Sequence, residues 1–121
     1  MSYNIKSIRA FIGAKNYDAS RQFYLDLGFE ELKIFPKMSY FKLGDFGFYL
    51  QDAYVKDWVD NTMLFLEVDN LAEHLDKITR LQLDKKHHNV RLSKIHYNDW
   101  GNVFFLYDPS GVLLQIGEFK K

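Results

Sequence analysis

One pattern of secondary structure, which the sequence predicts twice, constrains the fold more than any other feature. In each half, a β-like run with apolar residues at every second position precedes a segment with apolar residues at helical spacing, and three further β-like runs follow. Asn16, Asp18 and Ser20 are candidate caps for the first helix, which Gly28 ends, and Asn70 is the candidate cap of the second. Each half therefore predicts a βαβββ unit.

The predicted boundaries divide a single domain into two modules. We predict strands over residues 5–13, 30–35, 39–43 and 46–51 in the first module, and over residues 63–68, 90–96, 102–107 and 112–119 in the second. Module one covers residues 1–52, module two covers residues 62–121, residues 52–61 connect them, and residues 84–89 form a polar loop. The full length of 121 residues is usual for one domain.

A βαβββ unit forms a curved sheet that its helix covers on the convex side only. The predicted first strand shows this division, because Ile8, Ala10 and Ile12 form an aliphatic face toward the helix, whereas Arg9 and Phe11 point to the concave side. Two such units can enclose a cleft between their concave faces. The sequence thus predicts an α+β protein with two βαβββ modules that form curved mixed sheets around a cleft.

Charge and composition exclude several classes of function. The chain has 16 Lys and Arg against 16 Asp and Glu, so a formal net charge of zero gives no field that attracts nucleic acid or anionic lipid. The absence of cysteine from the sequence excludes disulfides, thiolate metal sites and a cysteine nucleophile. No run approaches the roughly 20 apolar residues that cross a bilayer, and the start lacks the apolar stretch of a secretory signal. We therefore expect a cytoplasmic protein that binds neither nucleic acid nor a membrane.

Aromatic residues make up 17% of the chain, which is more than a core of this size needs, so we expect some rings to line a cavity. Trp100 is the first candidate, because it lies between a polar segment and Gly101, away from a regular core face. It offers either a stacking platform for a planar ligand or a dimer contact. The further predicted walls of the ligand site are Phe11, Phe41, Tyr49 and Trp58.

Arg9 is the charged residue predicted on the concave face of the first module. A guanidinium in that position needs a partner, which is either an internal carboxylate or the carboxylate or phosphate of a ligand. Both readings remain open from the sequence. Other titratable groups give weaker signals: His87 and His88 are expected to be exposed in the polar loop, and Asp99 and Glu118 are a candidate carboxylate pair for acid–base chemistry.

Two motifs carry a resemblance to a known family. They are Ser20-x-x-Phe23-Tyr24-x-x-Leu27-Gly28-Phe29 and Phe105-x-x-Asp108-Pro109-Ser110-Gly111. With them the chain resembles the vicinal oxygen chelate superfamily, which includes glyoxalase I, extradiol dioxygenases, fosfomycin resistance enzymes and bleomycin resistance proteins. Asp60-Asn61-Thr62 and Trp100-Gly101 make it most similar to the bleomycin resistance branch. The resemblance implies paired βαβββ modules, a homodimer, and ligand sites in the clefts formed by the concave sheets.

The resemblance also shows where metal ligands would stand. Metal-dependent members take His, Glu or Gln ligands from both modules, and the corresponding positions here are Arg9, Thr62 and Gln115. An arginine is permanently charged and repels a cation, threonine is not a usual ligand, and a glutamine carbonyl coordinates weakly. We therefore expect no metal and no other cofactor.

These observations favour a metal-independent binding protein of the bleomycin-resistance type, which sequesters a planar or aromatic, neutral or anionic small molecule. Arg9, Trp100 and Gln115 are its central predicted contacts, and antibiotic resistance is one biological role for it. Bleomycin itself is a poor candidate, because it is cationic and this chain is neutral. The alternatives are a glyoxalase- or dioxygenase-like lyase or isomerase with a divergent metal site, and a structural dimer whose cleft is filled by its own side chains. Whether the protein is an enzyme stays open at this point.

Overall fold

The first module is a four-stranded sheet with one helix packed against it. The computed structural model describes residues 4–120, and the elements of this module are β1 (Phe11–Gly13), α1 (Tyr17–Leu27), β2 (Glu30–Phe35), β3 (Met38–Leu43) and β4 (Phe46–Gln51). The strand order is β1-β4-β3-β2, in which β1 runs parallel to β4 and the other neighbours are antiparallel. The predicted βαβββ unit is confirmed.

The second module repeats this arrangement after a short helix in the connection. Its elements, with that helix first, are α2 (Lys56–Asp60), β5 (Met63–Glu67), α3 (Leu71–Leu81), α4 (Leu83–Lys86), β6 (Arg91–Leu92), β7 (His96–Tyr97), β8 (Gly101–Tyr107) and β9 (Leu113–Phe119). The sheet order is β5-β9-β8-β6, β7 also pairs with β8, and β5 runs parallel to β9. Within residues 4–120, no helix has the length and apolar character that crossing a membrane requires.

The two long helices begin at side-chain caps that the sequence indicated. Among the three candidates, Asn16 caps α1, since its side-chain oxygen accepts the N–H of Ala19 at 3.1 Å. Asn70 caps α3 by accepting the N–H of Glu73 at 3.3 Å. Gly28 ends α1 with φ at 114°, a left-handed conformation that a residue without a Cβ adopts at little cost.

One hydrophobic core joins the modules. The inner faces of both sheets pack against α1, α3 and α4, and the fully buried members of the core include Ile12, Phe23, Tyr24, Phe41, Leu50, Leu71, Leu106 and Leu114. Full burial of one such apolar side chain contributes roughly 1.5–3 kcal/mol. Because both inner faces share this core, both outer faces point away from it and are left open within one chain.

The first predicted strand, over residues 5–13, is wrong in part. Residues 5–10 do not form a strand, and β1 begins only at Phe11. The backbone follows β4 from Ala10, whose carbonyl accepts the N–H of Tyr49 at 2.9 Å. Ile12 is buried as expected, but Ile8 precedes the point at which the sheet begins and is 96% exposed.

The predicted strand over residues 90–96 is divided into β6 and β7. Ser93 interrupts it, because its side-chain oxygen accepts the N–H of Phe105 at 2.8 Å in place of a backbone carbonyl. The backbone N–H of Ser93 donates to the Phe105 carbonyl at 2.9 Å. A hydroxyl therefore occupies a place in the hydrogen-bond ladder at which regular strand pairing would continue.

The polar loop predicted over residues 84–89 contains part of α4, and one of its histidines is not exposed. The Nε2 atom of His87 lies 2.7 Å from Oδ2 of Asp26, and its ring meets the Phe23 ring edge-on at 5.8 Å. Burial acts to raise the pKa of Asp26, but hydrogen bonds from Gln22 and His87 outweigh it and lower that pKa. His87 thus ties α4 to α1, whereas His88 is exposed as predicted.

Candidate ligand-binding site

The outer face of the first sheet carries a cluster of three rings and one guanidinium, which we call the Arg9 patch. Phe11 of β1, Tyr49 of β4 and Tyr40 of β3 are neighbours across the sheet in register. Arg9 lies over them from the segment that precedes β1. Because side chains alternate along a strand, the residues between these rings turn inward to the core, and the rings turn outward.

The guanidinium of Arg9 is held by two tyrosines. Its Cζ lies 4.0 Å from the centre of the Tyr40 ring, and its Nη1 donates to the hydroxyl oxygen of Tyr49 at 3.0 Å. Phe11 stacks on Tyr49 with 4.8 Å between ring centres and 24° between planes. Arg9 and Phe11 are exposed, and 58% of Phe11 is accessible to solvent. The predicted concave-side position of Arg9 beside Phe11 agrees with these contacts.

A glycine makes room for the Tyr40 ring. A Cβ atom at Gly47 would lie 2.6 Å from Cζ and Oη of Tyr40, and 2.4 Å from the carbonyl oxygen of Phe41. Real Cβ atoms do not approach other heavy atoms so closely, since the repulsive wall is steep at that distance. Gly47 therefore allows Tyr40 to lie across β4, where its ring supports Arg9.

The outer face of the second sheet carries a second cluster, the Trp100 patch, formed by Phe65, Trp100 and Phe119. The Phe65 and Phe119 rings stack at 5.4 Å, and the Trp100 ring lies 5.7 Å from Phe119 and 6.3 Å from Phe65. Gly117 makes room here too, because a Cβ at that position would lie 2.6 Å from Cζ of Phe65. All three rings are exposed, Trp100 to 46%.

Gln115 lies on the same outer face as the Trp100 patch. It pairs in register with Phe65 on one side and with Phe105 on the other. Its side-chain amide nitrogen lies 3.6 Å from the sulfur of Met63. Gln115 is therefore close to exposed apolar side chains on a face where a ligand can reach it.

Two predicted wall residues lie outside both clusters. Phe41 is fully buried, because its place on β3 turns it inward, and its ring packs against Tyr24 and Phe48. Phe41 is therefore a core residue and is not exposed on either outer face. Trp58 lies on α2 in the connection, is 74% exposed, and belongs to neither patch.

Arg9 and Trp100 do not share a patch within one chain. Arg9 contacts Tyr40 and Tyr49 of the first sheet, whereas Trp100 contacts Phe65 and Phe119 of the second. Both sheets direct their inner faces to one core, so the two patches lie on separate open surfaces.

The residues at the positions of the superfamily's metal ligands do not fit a divalent ion. The Arg9 guanidinium is a permanent cation held by Tyr49, and the Thr62 hydroxyl donates to the carbonyl of Trp58 at 2.6 Å. Gln115 alone has an oxygen that suits a hard cation. Across the part of the chain that the structure describes, no three His, Asp or Glu side chains form a group that could hold a metal.

Asp99 and Glu118 were the candidate carboxylate pair for acid–base chemistry, and the contacts of Glu118 are structural. Glu118 accepts the backbone N–H of Leu71 at 3.2 Å and the side-chain amide of Asn102 at 3.4 Å. The first contact satisfies a free N–H at the start of α3, and a negative charge is favourable there. Glu118 therefore has a structural role at a helix terminus, whereas Asp99 is exposed in the turn before β8.

An apolar groove of about 280 Å³ runs between the modules. Ile8 and Phe46 line it from the first module, and Leu64, Phe65 and Leu66 line it from the second. None of the predicted site residues lines this groove, but Phe65 connects it to the Trp100 patch. The groove is thus an extension of the open apolar surface around the second patch.

Phe65 and Phe119 belong to the candidate site but were not predicted from the sequence. Both belong to strands in which side chains point alternately inward and outward. Their outward positions hold large apolar residues, although solvent exposure favours polar ones. Apolar residues on both faces of such a strand were the signal by which the sequence could have indicated these two rings. The glycines beneath the rings gave no separate signal, because the close approach depends on partners from other strands.

Solved structures with this arrangement include binding proteins and an enzyme. A bleomycin-binding protein from bleomycin-producing Streptomyces verticillus, solved with copper(II)-bleomycin, matches with a TM-score of 0.79 and 18% identity, over 99% of this chain and 100% of that chain. An antibiotic-binding protein from Streptomyces sp. CB03234 matches with a TM-score of 0.74 and 18% identity, over 98% and 100% of the two chains. A lactoylglutathione lyase from Agrobacterium tumefaciens matches with a TM-score of 0.70 and 20% identity, over 96% of each.

These similarities define the fold. The chain has the fold of these bleomycin-binding, antibiotic-binding and lactoylglutathione lyase structures, each of which is at most 20% identical to it. The resemblance read from the sequence motifs is thereby confirmed at the level of fold. No protein-family model matches the sequence, and a search of curated proteins finds no match either.

Proposed function

We propose that this protein is a metal-independent binding protein that sequesters a planar or aromatic small molecule. The observation that carries the proposal is the pair of aromatic patches on the outer faces of the two sheets, in which Phe11 on one face and Phe65, Trp100 and Phe119 on the other are exposed. A soluble chain rarely leaves large rings exposed in clusters unless a ligand or a partner covers them. Rings of this kind bind planar molecules by stacking, which adds roughly 0.5–1.5 kcal/mol to the burial of area.

The fold supports a sequestering role. The structures that share it include a bleomycin-binding protein and an antibiotic-binding protein, both of which match this chain over nearly its whole length. By analogy, an antibiotic or another planar natural product is a reasonable ligand class. The zero net charge argues against cationic bleomycin as the ligand of this chain.

We further propose that the protein acts as a homodimer. The outer faces are uncovered within one chain, and a two-fold arrangement would place the Arg9 patch of one protomer opposite the Trp100 patch of its partner. Each dimer would then hold two equivalent clefts, each lined by both protomers. Arg9 and Trp100 would meet the same ligand in such a cleft, although they lie apart within one chain.

The proposal is tested by titrating the protein with a panel of planar antibiotics and aromatic acids while tryptophan emission is recorded. The chain has two Trp residues, so Trp58→Phe leaves Trp100 as the reporter and Trp100→Phe is the matched counterpart. We expect ligand-dependent quenching in Trp58→Phe, because Trp100 stacks on the ligand, and a weaker response in Trp100→Phe. The proposal fails if no planar compound binds the parent protein, which native mass spectrometry after gentle purification checks independently.

The enzyme alternative predicts a different result. A lyase or isomerase with a divergent metal site would retain about one equivalent of a divalent metal per chain, and Gln115→Ala would release it. We expect no such stoichiometric metal, because Arg9 and Thr62 stand at two of the positions that require donors. Elemental analysis of protein purified without added ions distinguishes the two functions.

A further inference from the structure

The charge of Arg9 is oriented by its neighbours but not compensated by them. Two contacts orient the side chain, the Tyr40 ring at 4.0 Å and the Tyr49 hydroxyl at 3.0 Å, and neither of them is a carboxylate. A guanidinium has five N–H donors, of which Tyr49 takes one. Arg9 is thus a positioned cation with donors to spare.

Some other cations of the chain have acidic partners. Arg21 binds Glu31 at 2.7 Å, and Lys42, which points to the same outer face as Arg9, lies 3.7 Å from Glu30. Arg9 forms no ion pair with any residue between 4 and 120. The sequence left two partners open for Arg9, an internal carboxylate or an anionic group of a ligand. Among these residues, Arg9 has no internal carboxylate partner.

An apolar ring surface lies directly beside this cation. Phe11 and Tyr49 stack on each other next to the guanidinium, and Phe11 is 58% exposed. A molecule that covers Phe11 with a ring can therefore carry a negative group to Arg9 at the same time. A neutral ligand would leave the guanidinium with weaker hydrogen bonds, and a cationic ligand would be repelled by it.

We propose that the Arg9 patch takes an aromatic anion, with the ring of the ligand on Phe11 and its carboxylate, or a group of like charge and size, on the guanidinium of Arg9. This inference rests on the proposed function and narrows its ligand class from planar molecules to planar aromatic anions. A charge-assisted hydrogen bond supplies the preference, which we expect to be roughly 10- to 100-fold over a neutral isostere.

The test uses three probes, of which the two naphthalene compounds are matched in size, measured by isothermal titration calorimetry. 2-Naphthoate has both the ring and the charge, 2-naphthamide has the ring alone, and cyclohexanecarboxylate has the charge without an aromatic ring. We expect 2-naphthoate to bind the parent protein roughly 10- to 100-fold more tightly than 2-naphthamide, and this ratio to fall as salt concentration rises. Cyclohexanecarboxylate should bind more weakly than 2-naphthoate, because it cannot stack.

Arg9→Gln removes the charge and keeps a polar side chain that can lie across Tyr40. The matched control is Arg91→Gln, since Arg91 also lies over a tyrosine ring, that of Tyr107 at 4.3 Å, but on the second sheet. We expect Arg9→Gln to bind 2-naphthoate and 2-naphthamide equally, and Arg91→Gln to keep the preference of the parent. Arg9 is exposed, so thermal melting should show that Arg9→Gln remains folded.

The results separate this inference from the proposed function. If 2-naphthamide binds the parent as tightly as 2-naphthoate does, or if Arg91→Gln loses the preference as fully as Arg9→Gln, the anion inference is wrong and planar binding stands. If neither naphthalene compound nor any member of the antibiotic panel binds the parent, planar binding itself is wrong, and the anion inference falls with it.

Discussion

The hydroxyl of Tyr24 donates a hydrogen bond of 2.8 Å to Oδ2 of Asp108, and both residues are fully buried. Tyr24 belongs to α1 of the first module, whereas Asp108 begins the turn between the last two strands of the second. The other carboxylate oxygen of Asp108 accepts the N–H groups of Ser110 and Val112 at 2.8 and 2.9 Å. One carboxylate therefore closes a turn and joins the modules. Burial raises the pKa of Asp108, although these hydrogen bonds oppose the rise.

Replacement of Tyr24 by phenylalanine tests this junction. Tyr24→Phe leaves a buried carboxylate oxygen without its hydroxyl partner, which costs about 1–3 kcal/mol when the acceptor carries charge. We expect a loss of stability in that range, measured by urea denaturation. Tyr97→Phe is the matched control, because Tyr97 is exposed, and it should change stability by less than about 0.5 kcal/mol. Equal midpoints for the two variants would show that the junction does not stabilise the fold.

The ion pair between Arg21 and Glu31 makes stability depend on pH. Hydrogen bonds from Arg21 at 2.7 and 2.8 Å lower the pKa of Glu31 below its ordinary value of 4.5, against the effect of burial, and the Ser39 hydroxyl lowers it further. A carboxylate with a lowered folded-state pKa contributes stability that is present above the unfolded pKa and is lost as pH falls through the folded pKa.

Glu31→Gln should therefore flatten the acid side of the stability profile. We expect the parent to lose stability progressively below about pH 4.5, and Glu31→Gln to be less stable than the parent at neutral pH but to lose less on acidification. Asp76→Asn removes a carboxylate from the exposed pair with Arg80 and serves as the control. Denaturation midpoints measured from pH 7 downward compare the three proteins, and parallel profiles for Glu31→Gln and the parent would contradict the prediction.

Gly117 and Phe65 should behave as a coupled pair. In Gly117→Ala the new Cβ would lie 2.6 Å from Cζ of Phe65, so the ring must move and the Trp100 patch with it. We expect a cost of about 1–3 kcal/mol, as is usual for overpacking. The same substitution in a Phe65→Ala background should cost clearly less, because the main clash is gone. A double-mutant cycle by thermal denaturation measures the coupling, and additive effects would place the strain elsewhere.

Mixing two defective chains tests the proposed cleft between protomers. Arg9→Gln and Trp100→Ala each remove one side of every cleft in their own homodimers. In a mixed dimer, one cleft carries both substitutions and the other carries none, so 2-naphthoate should bind at one site per dimer with the affinity of the parent protein. Chains that are co-expressed with different tags and purified through both allow this measurement by calorimetry.

Sedimentation velocity of the parent supplies the first control for that experiment, and we expect a mass twice that of the 14.4 kDa chain. A monomer at micromolar concentration would contradict the dimer. A mixed dimer that binds no better than either homodimer would show that each ligand site belongs to one protomer.

Local patterns in the sequence determined the elements of this fold. Asn16 and Gly28 delimit α1, Asn70 begins α3, and the alternation in residues 46–51 and 113–119 defines β4 and β9. These signals act between residues that are close in the chain, so a sequence displays them directly. The two motifs that carry the family resemblance predicted the fold for the same reason, because Tyr24 and Asp108 each lie within a short, recognisable stretch of sequence.

Only the tertiary structure decided which side chains form the candidate site. The sequence placed Phe41 and Trp100 with Arg9, but strand register turns Phe41 into the core, and the shared core separates Trp100 from Arg9. The sequence also indicated that His87 is exposed. In the structure, its Nε2 lies 2.7 Å from Oδ2 of Asp26, which belongs to a helix far away in the chain. Register and long-range packing arise from contacts between distant residues, which periodicity does not encode. The sequence by itself therefore determined the modules, and the packing of one module on the other decided where each ring and charge of the site lies.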